Sequence, residues 1–122
     1  MIRDIRVKRV YETPSADDGL RVLLVDRLWP RDLRKESPRI DAWRKDLAPS
    51  PELRKWFDHQ ESRFEEFSAR YVRELDEKDE VADFLERTSA ALISLLYAAK
   101  DTRVNHAVVL KSYLISKLHK KH

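Results

Sequence analysis

The stretch Ala90-Ala91-Leu92-Ile93-Ser94-Leu95-Leu96-Tyr97-Ala98-Ala99 decides the fold. A strand wetted on one side alternates apolar and polar residues, whereas a strand covered on both sides is apolar in each phase of the repeat. This run is of the second kind, far too short to cross a bilayer, and it ends in the polar group Lys100-Asp101-Thr102. Leu20 to Arg27 holds a matching run, Val22-Leu23-Leu24-Val25, which reads as a central strand. Trp29-Pro30 stops it, because proline has no N–H for the ladder and holds the preceding residue extended. Ile2 to Tyr11, with Ile5 and Val7 in one phase and charges in the other, reads as a half-covered strand. The loop Thr13 to Gly19 joins it to the second strand.

Between residues 40 and 90 the period becomes helical. Ile40, Trp43 and Leu47 are spaced for a helix that Pro49 and Pro51 interrupt. A new helix then starts, with Ser50 as N-cap, Pro51 in the first turn where its missing N–H does no harm, and Glu52 at the positive end of the dipole. Leu53, Trp56 and Phe57 form its apolar stripe. Phe64, Phe67, Tyr71 and Leu75 predict a helix from about Ser62 to Leu75, with Glu66–Arg70 and Glu74–Lys78 as outward i,i+4 pairs. Val81, Phe84 and Leu85 continue on a shorter helix after the turn at Asp76 to Asp79. Ala107, Leu110, Leu114 and Leu118 mark the last helix, entered through Asp101 or Thr102 as cap, with 117–122 a basic solvated tail. Strand, loop, strand, helices, strand, helix gives one α/β domain over residues 1–122, with a small, mostly parallel sheet and helices on its faces.

Composition removes many functions. With no cysteine the chain has no disulfide, thiolate nucleophile or Cys-ligated metal. One glycine rules out a GxGxxG or Walker A phosphate loop, and there is no GxSxG or HExxH. Met1-Ile2-Arg3-Asp4 leads into a charged segment without a signal-peptide core, and no stretch is membrane-spanning, so a cytoplasmic protein is expected. The 25 Lys and Arg against 22 Asp and Glu leave a net charge of +3, a slight excess that hints at an anionic partner.

In a parallel sheet the ligand crevice lies beyond the carboxyl ends of the strands. Two such ends are chemically loaded. Asp26-Arg27-Leu28-Trp29-Pro30-Arg31 places an acid, two guanidinium groups and an indole on one turn. Lys100 to His106 places a cation at a strand end and Asn105 and His106 by a helix start, where unpaired N–H groups favour an anion. Each has a plainer reading: Asp26 and Arg27 as an ion pair with each other or with Lys100, Trp29 and Trp43 as core, His106 as a hydrogen-bonded structural histidine, Asn105 as a helix cap. His59, His119 and His122 are scattered and show no ligand spacing.

Lys8-Arg9-Val10-Tyr11, Val25-Asp26-Arg27-Leu28-Trp29-Pro30-Arg31, Leu47-Ala48-Pro49-Ser50, and Leu95-Leu96-Tyr97-Ala98-Ala99-Lys100 followed by Asn105-His106-Ala107 closely resemble the YeaO-like branch of a bacterial domain-of-unknown-function family. The resemblance spans nearly the whole chain. It implies a Rossmann-like α/β domain in which Asp26-Arg27 and Asn105-His106 face one another, and it carries no established activity. Other branches often have a cysteine where this chain has Asn105, so thiol chemistry is not implied here. The helix between the first two strands of longer members is reduced to Glu12–Gly19. A parallel pairing needs about a dozen linking residues, so either another strand separates those two or they form an antiparallel hairpin.

These readings converge on a pocket at the strand carboxyl ends for a small anionic, phosphate-bearing or similar ligand. Arg27, Arg31 and Lys100 would hold the charge, Trp29 or Tyr97 would wall the pocket, Asn105 would contact the ligand, and Asp26 and His106 would be acid and base if chemistry occurs. No cofactor or metal is expected, beyond a weak site conceivable at His106 and Asp26. Two alternatives stand beside it: a nucleic-acid-binding or regulatory module, and a self-association domain using Trp43, Trp56 and Phe57 as an exposed patch.

Overall fold

The computed structural model describes residues 2–12, 15–23, 40–98, 101 and 103–120. Four strands, β1 (Asp4–Arg9), β2 (Leu20–Leu23), β3 (Ala42–Trp43) and β4 (Leu92–Tyr97), form one sheet in the order β1-β4-β2-β3. All pairings are parallel. The first two strands are therefore separated by another strand, the first of the two alternatives. Among the described residues the α-helices are α1 (Pro51–Phe57), α2 (Phe64–Asp76), α3 (Asp79–Arg87) and α4 (His106–Lys120). Among the described residues no helix is long and apolar enough to cross a membrane.

Register explains the burial of β4. Ile5, Ile93 and Leu20 align across the sheet, as do Val7, Leu95 and Val22. This face meets Phe57, Phe67, Tyr71, Phe84, Leu110 and Leu114, so α1 to α4 all join one core. On the opposite face Lys8, Leu96, Leu23 and Trp43 align. There Val10, Leu23 and Leu96 form a second fully buried cluster against Ile40, Trp43 and Ala98. The expectation of helices on both faces is thus met on one face by the described helices; the end of the expected strand at 24–27 lies outside the described residues.

The polar end of the second face is held by one buried carboxylate. Asp18 accepts from Lys8 Nζ at 2.7 Å and pairs with Arg21, and its second oxygen also accepts from Ser15 N–H at 2.9 Å. Its carbonyl accepts from Ser94 Oγ at 2.7 Å, tying the 3-10 turn Ala16–Asp18 to the middle of β4. Gly19 follows with φ +64°, and a Cβ there would sit 2.1 Å from the Leu92 carbonyl oxygen. The chain's single glycine stands where a side chain has neither the dihedral nor the space.

A second clamp fixes the entry to α1. Ser50 caps the helix, its Oγ accepting from Leu53 N–H at 3.2 Å. Ser50 in turn donates its N–H and Oγ–H to the two Glu74 oxygens, at 2.8 and 2.6 Å. Tyr71 Oη donates to the Leu47 carbonyl, and Lys78 Nζ to the carbonyls of Asp46 (2.8 Å) and Ala48 (3.3 Å). One face of α2 and the residues just beyond it therefore grip Leu47-Ala48-Pro49-Ser50. Burial drives the Tyr71 phenol far above its ordinary pKa, so it stays a proton donor.

Several expectations are corrected. Ile40, Trp43 and Leu47 do not form a helix: β3 pairs with β2, and a 3-10 turn (Lys45–Leu47) follows. Ile40 and Trp43 share one apolar cluster from an extended segment, which a three-residue spacing in so short a run cannot distinguish from a helix. Glu66 and Arg70 do pair, but Glu74 and Lys78 turn to the 46–50 segment instead of to each other. The last helix is capped by Asn105 rather than by Asp101, and Thr102 lies outside the described residues. Residues 117–120 are not a loose tail but the end of α4, with Leu118 packed on the core and Lys117 Nζ 3.5 Å from Asp76. Phe57 is 5% exposed and Trp43 and Trp56 are half-buried, so they form no exposed association patch. Two guanidinium groups, of Arg63 and Arg70, cover the Trp56 ring at 5.5 and 4.4 Å.

Three stability outcomes follow from these contacts. Gly19→Ala should lose about 3 kcal/mol or more in urea denaturation, because it combines backbone strain with overlap on Leu92. Asp18→Ala should lose about 3 kcal/mol, because it removes the buried carboxylate that joins Lys8, Arg21 and the Ser15 N–H. Glu74→Ala should lose about 1.5–3 kcal/mol, and adding Ser50→Ala should cost less than the separate effects combined, since both disrupt one network.

Candidate functional site

The described core leaves a cavity of about 300 Å3 lined by Pro49, Arg54, Phe57, His59, Phe67, Ala98, Val104, Asn105 and His106. Its position follows from the topology. Ala98 is the first residue past β4, and Val104 to His106 lead into α4, so the cavity lies at the carboxyl end of the sheet's middle strand. Pro49 is delivered by the segment gripped by α2, and Arg54 and Phe57 by the helix that segment caps.

The floor is apolar. Phe57 and Phe67 stack with ring centroids 4.2 Å apart, and both are nearly closed to solvent. Arg54 brings the fixed positive charge. Although the residue reaches solvent, the protein crowded around its guanidinium lowers its pKa from the ordinary arginine value, and the group stays charged. His59 enters through the turn after α1. Asp58 ends that helix in the left-handed conformation (φ 47°, ψ 41°), its N–H bonded to the Arg54 carbonyl at 3.0 Å, and His59 also has positive φ, 54°. Two consecutive left-handed residues that are not glycine cost about 1 kcal/mol each. Their effect is to reverse the chain so that the imidazole comes within 6.3 Å of the Phe57 ring.

The α4 side is held by side-chain caps. Asp101 Oδ1 accepts from Arg103 N–H at 2.8 Å and Val104 N–H at 2.9 Å, which holds its carboxyl below the usual range. Asn105 uses both ends of its amide. Its Oδ1 accepts from Val108 N–H at 3.1 Å as the N-cap, and its Nδ2 donates to the Asp101 carbonyl at 3.0 Å. At 2% exposure it is a buried, occupied polar group.

The expected site residues thus separate into three sets. His106, first residue of α4 and half-buried, and Asn105 line the cavity together. Tyr97 lies at the end of β4, 3% exposed, and is not among the lining residues. Its phenol is pushed up by burial, with Glu12 and Asp101 adding to the effect and Arg9 opposing it. Asp26, Arg27, Trp29, Arg31 and Lys100 lie outside the described residues. Sequence reading missed Arg54 and His59. Arg54 looks like any exposed helix cation, and His59 is drawn in by a left-handed turn that leaves no periodic signal. No group of three or more His, Asp or Glu suited to a metal occurs among the described residues.

A larger cavity of about 530 Å3 lies at the other end of the strands, between Ile2 and Ile5 of the β1 side and Ile115 and Leu118 of α4. Its walls are mostly aliphatic, and it is at the amino edge of the parallel sheet, away from the usual ligand crevice.

Among proteins similar in sequence, the chain is 43% identical to the uncharacterised protein Rv3073c of Mycobacterium tuberculosis over 116 residues, covering 93% of this chain and 98% of that protein. It is equally similar to Mb3100c of Mycobacterium bovis. It is 39% identical to YeaO of Escherichia coli over 117 residues, again covering 93% and 98% of the two chains. No solved structure matches it. Residues 4–122 match the family DUF488-N3i, described as the inactive DUF488-N3 subclade, and the chain belongs to that family.

Proposed function

We propose that this protein is a small-anion-binding module without catalytic turnover, its ligand seated in the cavity at the carboxyl end of β4. The observation that carries this reading is the convergence of Arg54, His59 and His106 on one apolar-floored cavity at the edge where parallel sheets take ligands. A guanidinium fixes negative charge at any physiological pH, and each imidazole offers a donor in either protonation state. The positive end of α4 adds to the same potential. Arg27, Arg31 and Lys100, which follow β2 and β4 in the chain, would extend the cationic rim, with Trp29 as a wall.

Binding is favoured over turnover by two facts. The family is described as inactive. Asn105 supplies no nucleophile and has both amide ends occupied within the fold. His106 is accordingly read as a ligand donor, not as a general base working with Asp26.

A thermal-shift series with phosphate, sulfate, carboxylates, sugar phosphates, mononucleotides and a short DNA duplex tests this. At a hundredfold excess over its dissociation constant a ligand adds about 2.7 kcal/mol, which reads as several degrees in Tm. The expected outcome is that a small anion stabilises the wild type, that Arg54→Gln abolishes the shift, and that His106→Gln reduces it. Equal shifts in wild type and Arg54→Gln would remove the cavity as the site. A shift by the duplex alone, falling steeply with salt, would replace this reading with nucleic-acid binding.

A further inference from the structure

We propose that the protein self-associates through the solvent face shared by α2 and α4, a second copy of the chain being the occupant. Composition marks the face. In a chain that is 39% charged, the exposed residues of α3 are Asp79, Glu80, Ala82, Asp83, Glu86 and Arg87, five of the six charged. That is an ordinary solvated helix face. Where α2 and α4 lie side by side, the residues that reach solvent are Phe64, Ser68 and Val72 on one helix and Val108, Ser112 and Ser116 on the other, and none of these six is charged. Each set repeats every four residues, so the two form ridges with a shallow groove between them, the relief into which another helix packs. Ser68 Oγ donates to the Phe64 carbonyl and Ser116 Oγ to the Tyr113 carbonyl, both at 2.8 Å. These hydroxyl protons are used within their own helices, so covering the two serines strands no donor.

Charge selects the partner. Outside the groove α2 is bordered by Glu65 and Asp76, and α4 by Lys111 and His119, with no Asp or Glu anywhere in α4. Within one copy the two borders already attract, Asp76 accepting from Tyr113 Oη at 2.6 Å and standing 3.5 Å from Lys117 Nζ. A twofold axis running along the groove lays α2 of each copy on α4 of the other, so each acidic border meets a basic one. Laying α4 on α4 would instead oppose lysine to lysine. The free edge of β1 is poorly suited to strand addition, because Asp4 Oδ1 takes the Ile5 N–H at 2.9 Å and Glu12 takes the Arg9 N–H at 2.7 Å. Helices of 13 and 15 residues are about 20 Å long, and two side by side cover on the order of 400 Å2 in projection. A tight complex uses about 800 Å2 per partner, so this dimer is weak, dissociating in the micromolar range or above.

Sedimentation velocity of the full chain from about 10 µM to about 1 mM tests this. The wild type should pass from monomer toward dimer over that range. Ser112→Arg, at an exposed position, should raise the midpoint concentration about tenfold or more; Ala69→Arg, also exposed, serves the same purpose should circular dichroism show the first variant unfolded. Glu65→Lys and Lys111→Glu should each weaken the dimer, and the two together should restore it, since the paired signs are then exchanged. A wild type that stays monomeric at the top of the range overturns the proposal, as does a dimer that the folded arginine variant leaves unchanged. Failure of the double variant to recover overturns the pairing of α2 with the partner's α4.

Discussion

The link from β1 to β2 is the constraint on which the rest of the sheet depends. The two strands are parallel, yet the chain has ten residues, 10–19, between them. It must climb over β4, a lateral distance of about 10 Å, and return about 13 Å along the strand direction, since Arg9 is level with Tyr97 and Leu20 with Ile93. Ten residues can span that path but cannot also form a packed α-helix. The crossing is instead held by charge. Asp18 gathers Lys8 from β1 and Arg21 from β2 over Ser94 of β4, and Gly19 lets the backbone drop against Leu92. Buried ion pairs gain little against hydrophobic replacements but are costly when broken. Here the pair acts mainly as a register pin: a one-residue slip of β2 would turn Val22 out of the helical core and bring Arg21 into it.

The same economy places the cavity on the other side of the sheet. The large core needs α2 against β4, and α2 carries Tyr71 and Glu74 on the side facing the 47–50 segment. Because those groups hold the Leu47 carbonyl and the Ser50 cap, α1 starts at a fixed point over the carboxyl end of β4. It is only seven residues long, too short to be stable alone. Its capping box is in effect completed in trans, by Glu74 from another helix. The left-handed turn at Asp58 and His59 then ends α1 at once, so the cavity is framed by the two ends of a single short helix.

How much of this could be read from the sequence depends on the range of the interaction. β4 and the core of β2 were legible because burial on both faces is written into consecutive residues. The start of α1 was legible because Ser50 and Pro51 signal locally, and α3 because Val81, Phe84 and Leu85 share one face. Illegible were the features set by partners far along the chain. Glu74 forms a reasonable i,i+4 pair with Lys78 on paper, yet Ser50 offers it two donors at once. Ile40 and Trp43 have helical spacing, but β2 offers Ala42 and Trp43 a ladder, and Ile40 precedes it. Of the candidate site, His106 and Asn105 were found by their place after a strand end, whereas Arg54 and His59 are assembled by tertiary structure alone.

Asn105 shows how one residue type bears on what such a site can do. An amide cannot attack, but it can do what a thiol does poorly: accept a strong bond from Val108 N–H and donate one to the Asp101 carbonyl. Asp101 in turn takes the N–H groups of Arg103 and Val104, so the whole approach to α4 is closed by hydrogen bonds before the helix begins. His106 is the next residue and inherits that rigidity. The hydrogen bonds that fix the start of α4 therefore also fix this wall of the cavity.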